Sequence, residues 1–190
     1  IKNATEFERF KASEEEIKEL RYKLGVNGKL VVGHVGRFTF AKNHDFLLDV
    51  FKEILKKHDD AILLLVGDGE LRESICEGIR KRELENKVVL AGQVSNPELY
   101  YHLANVIVIP SIFEGLSLAT VESQIVGVPV VVSKAIPEEA IISDGVVRLE
   151  LENKEEWMNI ILKVVNKKVI LDDRSKAYDI RTAVHKLEEW

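Results

Sequence analysis

Residues 30–57 read LVVGHVGRFTFAKNHDFLLDVFKEILKK, and three patterns follow one another along them. Leu30 to Gly36 is an apolar run without alternation, the pattern of a strand covered on both faces. Gly36 to Asn43 is a short loop, and Asp45 to Lys57 is an amphipathic helix. A buried strand feeding a helix is half of a parallel crossover unit. The rest of the chain repeats the rhythm: Ala61 to Val66 then Leu71 to Arg82, and Val88 to Ala91 then a short helix near Pro97 to Leu103. Val106 to Ile109 precedes a helix from Leu118 to Val126, and Pro129 to Val132 precedes a helical turn near Glu138 to Ile142. Val146 to Leu151 reads as a sixth strand, with helices near Glu155 to Val165 and Arg174 to Glu188 after it. Upstream, Ser13 followed by Glu14, Glu15 and Glu16 is an N-cap with an acidic first turn for a helix reaching Leu24, stopped by Gly25 and Gly28. Right-handed crossovers joining six such strands predict an α/β, doubly wound, Rossmann-like domain with a parallel sheet in the order 3-2-1-4-5-6.

The 190 residues suit one domain, here read as 1–190 with residues 1–13 as a linker. Apolar residues at 46% and charged residues at 31% disfavour disorder, collagen and coiled coil. The 27 Lys and Arg against 32 Asp and Glu give a net charge of −5, without the basic excess of a nucleic-acid binder. The single cysteine, Cys76, forms no internal disulfide and is read as buried packing in a reducing compartment. With neither a membrane-length apolar run nor a secretion signal, the chain reads as cytoplasmic. It begins without methionine, so it is expected to be cut from a longer protein.

In the 3-2-1-4-5-6 order a ligand sits beyond the carboxyl ends of strands one and four, where the order reverses. The loop after strand one carries Arg37 and Lys42, a bidentate fork and a point charge that can grip a diphosphate from two directions. The alternative is two solvated cations on a loop. After strand four, Ser117 precedes the helix Leu118 to Val126, where its hydroxyl can cap and outward-facing amides suit an anion; an ordinary cap with nothing bound is the alternative. Glu114 and Glu122, eight apart, can both face the crevice mouth and accept from sugar or ribose hydroxyls, or Glu122 can simply face water. Gly67-Asp68-Gly69 lacks the third glycine of a dinucleotide fingerprint and reads as a tight turn that can let a ligand approach. His34 reads as a satisfied core residue, His44 opens a helix, and Trp157 and Trp190 read as anchors for the last two helices.

GRFTFAKN after strand one, LLLVGDGELRE after strand two, VVLAGQV at strand three, PSIFEGLSLATVES after strand four and GVPVVVS at strand five stand in fixed order across roughly residues 29 to 133. Together they resemble the C-terminal, donor-binding half of a family 4 glycosyltransferase of the GT-B fold. The resemblance implies that Arg37 and Lys42 bind the donor diphosphate and stabilise the departing nucleotide, and that Glu114 contacts the transferred sugar. These three are the implied catalytic residues. It further implies that Glu122 contacts the ribose, that the amides of Ser117 and Leu118 meet the phosphates and that the backbone near Val94 meets the base. Gly36, Gly115 and Leu116 complete the implied donor-binding set. The reaction implied is hexosyl transfer from a nucleotide-diphosphate sugar, UDP-linked by family frequency, with retention and without metal or cofactor. Its acceptor would be a glycan or a lipid-linked molecule.

Three departures accompany the resemblance. Ser117 stands where many members have glycine. Ser133 to Glu138 lacks a glycine pair and resembles a capsular and exopolysaccharide branch. The N-terminal acceptor domain is absent, Ile1 to Ala4 resembling the linker that follows it, so the chain alone is expected to bind and not turn over. Peripheral membrane contact at the inner face would run through that missing part. The competing readings are a NAD-binding or nucleotide-binding domain of an oxidoreductase or epimerase, and a nonenzymatic nucleotide-binding module.

Overall fold

The computed structural model describes residues 6–165 and 167–179. Its six strands are β1 (Val31–Val35), β2 (Ile62–Val66), β3 (Val88–Gly92), β4 (Val106–Ile109), β5 (Val130–Ser133) and β6 (Val146–Leu149). All pair in parallel, in the order β3-β2-β1-β4-β5-β6 that the sequence predicts. The absence of alternation has a direct cause. A period of two sends Val32, Leu63, Leu65, Val106, Val108 and Val131 to one face and Val31, Ile62, Leu64, Ile107, Ile109 and Val130 to the other, and every one is buried. The first face packs against α2 (His44–Leu55), α3 (Arg72–Lys81) and α6 (Lys154–Val164). The second packs against α1 (Glu14–Lys23), α4 (Pro97–Tyr101) and α5 (Leu118–Val126).

Helix ends follow local chemistry. Ser13 and Glu16 form a reciprocal capping box, Oγ of Ser13 accepting from the Glu16 amide at 3.2 Å and the Glu16 carboxylate accepting from the Ser13 amide at 2.9 Å. The second helix begins at His44 because Asn43 takes left-handed backbone, φ 55°, and turns the chain into it. Trp157 is fully buried as the anchor of α6, edge-on to Phe46 with ring centroids 5.4 Å apart. Against alanine such a side chain is worth about 3–5 kcal/mol.

Several expectations change. β6 stops at Leu149, two residues early. The final helix over Arg174 to Glu188 is, where described, a 3-10 turn, Asp173–Ala177; residues 180–188 and Trp190 lie outside the described residues. Cys76 is half-buried, on the flank of α3. In the region read as linker, residues 6–13 dock on the domain. Phe10 is buried, Arg9 Nε pairs with Glu98 at 3.0 Å, and His102 Nε2 donates to the Phe10 carbonyl at 2.7 Å. Among the described residues no helix is long and apolar enough to cross a membrane.

Candidate functional site

The crevice forms because β1 pairs with β2 on one side and with β4 on the other, so the loops after β1 and β4 leave the sheet side by side. Gly33 makes the β1–β4 contact possible, since a Cβ there would lie 2.6 Å from Ile107 Cδ1 and 2.9 Å from Ala104 Cβ. The two loops are joined by the Ile112 amide, which donates to the Ala41 carbonyl at 2.8 Å, and the second loop is tied to the end of β5 by Ser133 Oγ, which donates to the Ser111 carbonyl at 2.5 Å.

Lys42 ends a 3-10 turn, Phe40–Lys42, and its side chain lies across Gly36. A Cβ at Gly36 would meet Lys42 Cε at 3.2 Å and His34 Nε2 at 3.5 Å. Nζ pairs with Glu114 Oε1, and the same oxygen accepts from Ser111 Oγ at 2.9 Å. The two side chains are only 16% and 12% exposed. Arg37 has a different environment. Its side chain is 75% exposed, lies 3.6 Å from Glu70 and borders an open cleft of about 520 Å³ with Gly67, Asp68, Gly69 and Gln93. The two cations expected to act together are thus held by different carboxylates.

The Gly67-Asp68-Gly69 turn owes its glycines to the protein itself. Gly67 has φ 138°, and a Cβ there would sit 2.0 Å from the Gly36 carbonyl oxygen; one at Gly69 would sit 2.5 Å from that of Phe38. Backbone of the first loop thus packs directly against this turn, while its outer side lines the open cleft beside Arg37. Around it the Phe38 amide donates to the Asp68 carbonyl at 2.9 Å and the Leu71 amide to the Phe38 carbonyl at 3.0 Å.

Ser117 occupies the N-cap of α5, but its buried hydroxyl makes no capping bond; it accepts from Thr120 Oγ1 at 2.8 Å. Its carbonyl accepts from the Thr120 and Val121 amides, which leaves the Leu118 amide in the first turn ahead of any intrahelical acceptor. Gly115 and Leu118 are exposed at the head of α5, Leu116 is half-buried, and Ser117 between them is buried. Val94 is half-buried in the loop between β3 and α4. Glu122, one turn into α5, accepts from Tyr101 Oη at 2.7 Å. Burial raises its carboxyl above the ordinary range and the Tyr101 bond opposes that. The two glutamates therefore reach different partners.

Two histidines lie behind Lys42. His34, read as satisfied, is half so: Nδ1–H donates to the Val108 carbonyl at 2.8 Å while buried Nε2 has no hydrogen-bond partner. His44 is also buried with neither ring nitrogen bonded, its ring 4.8 Å from those of His34 and Phe38. Burial lowers His34 to about 4 and His44 to about 2, with the nearby Lys42 charge acting the same way, so both are neutral beside the cation. Sequence reasoning missed Ser111 and Tyr101, the donors that hold Glu114 and Glu122. Ser111 lies three residues before Glu114 in the same loop, a local signal; Tyr101 gives none. Among the described residues no group of three or more His, Cys, Asp or Glu is placed to hold a metal ion.

The family model for glycosyl transferases group 1 matches residues 16–181. An uncharacterised glycosyltransferase of Methanocaldococcus jannaschii is 31% identical over 131 residues, covering 69% of this chain and 32% of the relative. The capsular polysaccharide biosynthesis glycosyltransferase CapM of Staphylococcus aureus is 35% identical over 130 residues, covering 68% of this chain and 34% of its own. The chain therefore spans about a third of the length of the curated relatives it matches. Among solved structures, HepE of Anabaena in complex with UDP and glucose superposes with a TM-score of 0.83 at 21% identity, covering 98% of this chain and 54% of HepE, and so shares the fold. With the model matched over most of its length, and with the sheet order and crevice just described, this chain belongs to the glycosyl transferases of group 1.

Proposed function

We propose that this chain is the donor-binding part of an enzyme that moves a hexosyl unit from a UDP-linked sugar to a glycan or lipid-linked acceptor, with retention of configuration and without a metal or other cofactor. The observation that carries this reading is the Lys42–Glu114 pair, an ion pair set in the crevice between the ends of β1 and β4, with the first turn of α5 following in the same loop. A cation and a carboxylate in that place suit a molecule carrying both a diphosphate and sugar hydroxyls. Family membership supports sugar transfer, the UDP and glucose bound by HepE support the donor class, and the name of CapM supports a glycan product. The length of the relatives supports a further, acceptor-binding part.

In this reading the incoming diphosphate takes Lys42 from Glu114, and Glu114 turns to the hydroxyls of the sugar. Exposed Arg37 swings from Glu70 to the second side of the diphosphate, and the amides of Ser117 and Leu118, with backbone at Gly36, Gly115 and Leu116, approach the phosphates. Glu122 accepts from the ribose, and the backbone near Val94 meets the base. As the glycosidic bond breaks, negative charge gathers on the departing phosphate, and fixed donors aimed there lower the barrier. Arg37 and Lys42 act by charge, not by proton transfer. The location proposed is cytoplasmic, at the inner membrane face where the acceptor is lipid-linked.

Calorimetric titration of the chain with UDP, GDP and NAD tests donor recognition. UDP binding unaffected by chelator, with no NAD binding, is the expected result; NAD binding without UDP binding would overturn the reading. Retention is tested by the anomeric configuration of the product formed by the complete enzyme from labelled UDP-sugars.

A further inference from the structure

Tyr101 is the last residue of α4 and is wholly buried, yet its hydroxyl leaves the core and donates to Glu122 Oε2 at 2.7 Å across the packing of α4 on α5. A buried phenol needs a partner, and a backbone carbonyl would have sufficed. Here the partner is a half-buried carboxylate, and only one of its oxygens is committed. Oε1 has no hydrogen bond among the described residues. Burial and the neighbouring carboxylate hold the Tyr101 hydroxyl well above its ordinary range, so it remains a donor. Glu98, one turn earlier on α4, is occupied by Arg9 at 3.0 Å and so does not compete for the tyrosine.

We infer that Tyr101 is a positioning residue for Glu122, fixing its carboxylate in one rotamer with a single oxygen open, and that this makes the chain discriminate ribonucleotide from deoxyribonucleotide diphosphates. The inference rests on the proposed function, in which Glu122 accepts from the ribose. A glutamate free to turn on a helix surface loses rotamer entropy when it binds, whereas one already held does not. A site built around a waiting acceptor also rejects a ligand that lacks the hydroxyl, because its polar group is then left unpaired.

The test is calorimetric titration of the chain with UDP and with 2′,3′-dideoxy-UDP, in wild type, Tyr101→Phe and Glu122→Ala. Wild type is expected to prefer UDP by about 30- to 100-fold, the scale of hydrogen bonds to a charged acceptor. Tyr101→Phe keeps the ring and its packing; it should lower that preference about tenfold, by weakening UDP and leaving the dideoxy ligand unchanged. Glu122→Ala should abolish the preference. Equal weakening of both ligands by Tyr101→Phe, or an unchanged preference, would leave Tyr101 with a packing role only and overturn the inference.

Should Tyr101→Phe fail to fold, Tyr101→Met carries the test, since it too removes the hydroxyl while a flexible apolar side chain fills the space. The same fall in preference, about tenfold, is expected, and an unchanged preference overturns the inference. Wild type binding both ligands equally would remove the ribose from Glu122. Wild type binding neither would remove the nucleotide reading itself, so the two failures are distinct.

Discussion

Replacing Glu114 by Gln should loosen the fold and tighten UDP at the same time. Lys42 Nζ contacts Glu114 Oε1 with both side chains largely buried, and Ser111 supplies the second bond to that oxygen. In the proposed function the diphosphate takes Lys42 from this carboxylate, so the pair's own attraction opposes binding. Two unit charges about 4 Å apart at an effective dielectric near 20 attract by about 4 kcal/mol. Desolvation offsets part of this and the Gln amide oxygen restores one hydrogen bond, leaving a net competing effect of about 1–2 kcal/mol. Removing it should tighten UDP by about tenfold. The same change strands the Lys42 ammonium without its counter-ion, at a cost of about 2–3 kcal/mol of stability or roughly 5–10 °C in Tm. Calorimetric titration at fixed ionic strength, with thermal unfolding on the same preparations, reads both. UDP is the ligand of choice because it lacks the sugar that Glu114 is proposed to contact, so loss of that contact does not mask the gain. A folded Glu114→Gln protein that binds UDP more weakly than wild type would mean that Glu114 holds Lys42 ready for the ligand, and the exchange of partners would be refuted.

Lys42→Ala in the complete enzyme should lower turnover by about 10²- to 10³-fold, the scale of one lost preorganised donor, and near-wild-type activity in a steady-state assay would remove Lys42 from the mechanism. His34 and His44, neutral in the fold with pKa values of about 4 and about 2, take up protons near 6.5 once unfolded. The unfolded state thus binds more protons below that value, and their contribution to stability is lost as pH falls from about 6.5 toward 4, by about 1.4 kcal/mol per pH unit for each ring. His44→Phe, placed against Phe38, should halve this histidine contribution to the slope in urea unfolding between pH 6 and roughly 4.5; an unchanged slope would show that His44 does not carry it. Gly67→Ala combines φ 138° with a Cβ 2.0 Å from the Gly36 oxygen and should cost at least about 3 kcal/mol, whereas Gly115→Ala, with open space around it, should stay within about 0.5 kcal/mol. Equal Tm values for the two variants would show that the first two loops do not pack as described.

The backbone of this domain is legible because its causes are local. The buried run Ile62–Val66 announces a strand covered on both faces, and Ser13 with Glu16 announces a helix start, each within a few residues. Asn43 entering left-handed backbone just ahead of α2 is a single conformational choice that apolar periodicity does not register. The residues of the crevice are also legible, through the loops that the strand order brings together. Their partners are not. Lys42 and Glu114 are 72 residues apart, Tyr101 and Glu122 are 21 apart, and no spacing rule relates either pair.

The reason is electrostatic. A carboxylate or ammonium in a largely buried crevice must be satisfied whether or not a ligand is present. The site therefore pairs its own groups: Lys42 takes Glu114 where the proposed function gives it a diphosphate, and Glu114 takes Lys42 and Ser111 where that function gives it sugar hydroxyls. Glu122 takes Tyr101. His34 shows the same principle from the other side. Only the pairing of β1 with β4 puts the Val108 carbonyl within reach of Nδ1, and that bond fixes the tautomer that leaves the bare Nε2 lone pair beside Gly36 and the Lys42 chain. Motifs of this kind identify the groups that meet a ligand because they act together in its presence. Which group holds which beforehand depends on how the folded chain satisfies each buried charge, and that sets how much free energy a ligand must supply to replace it.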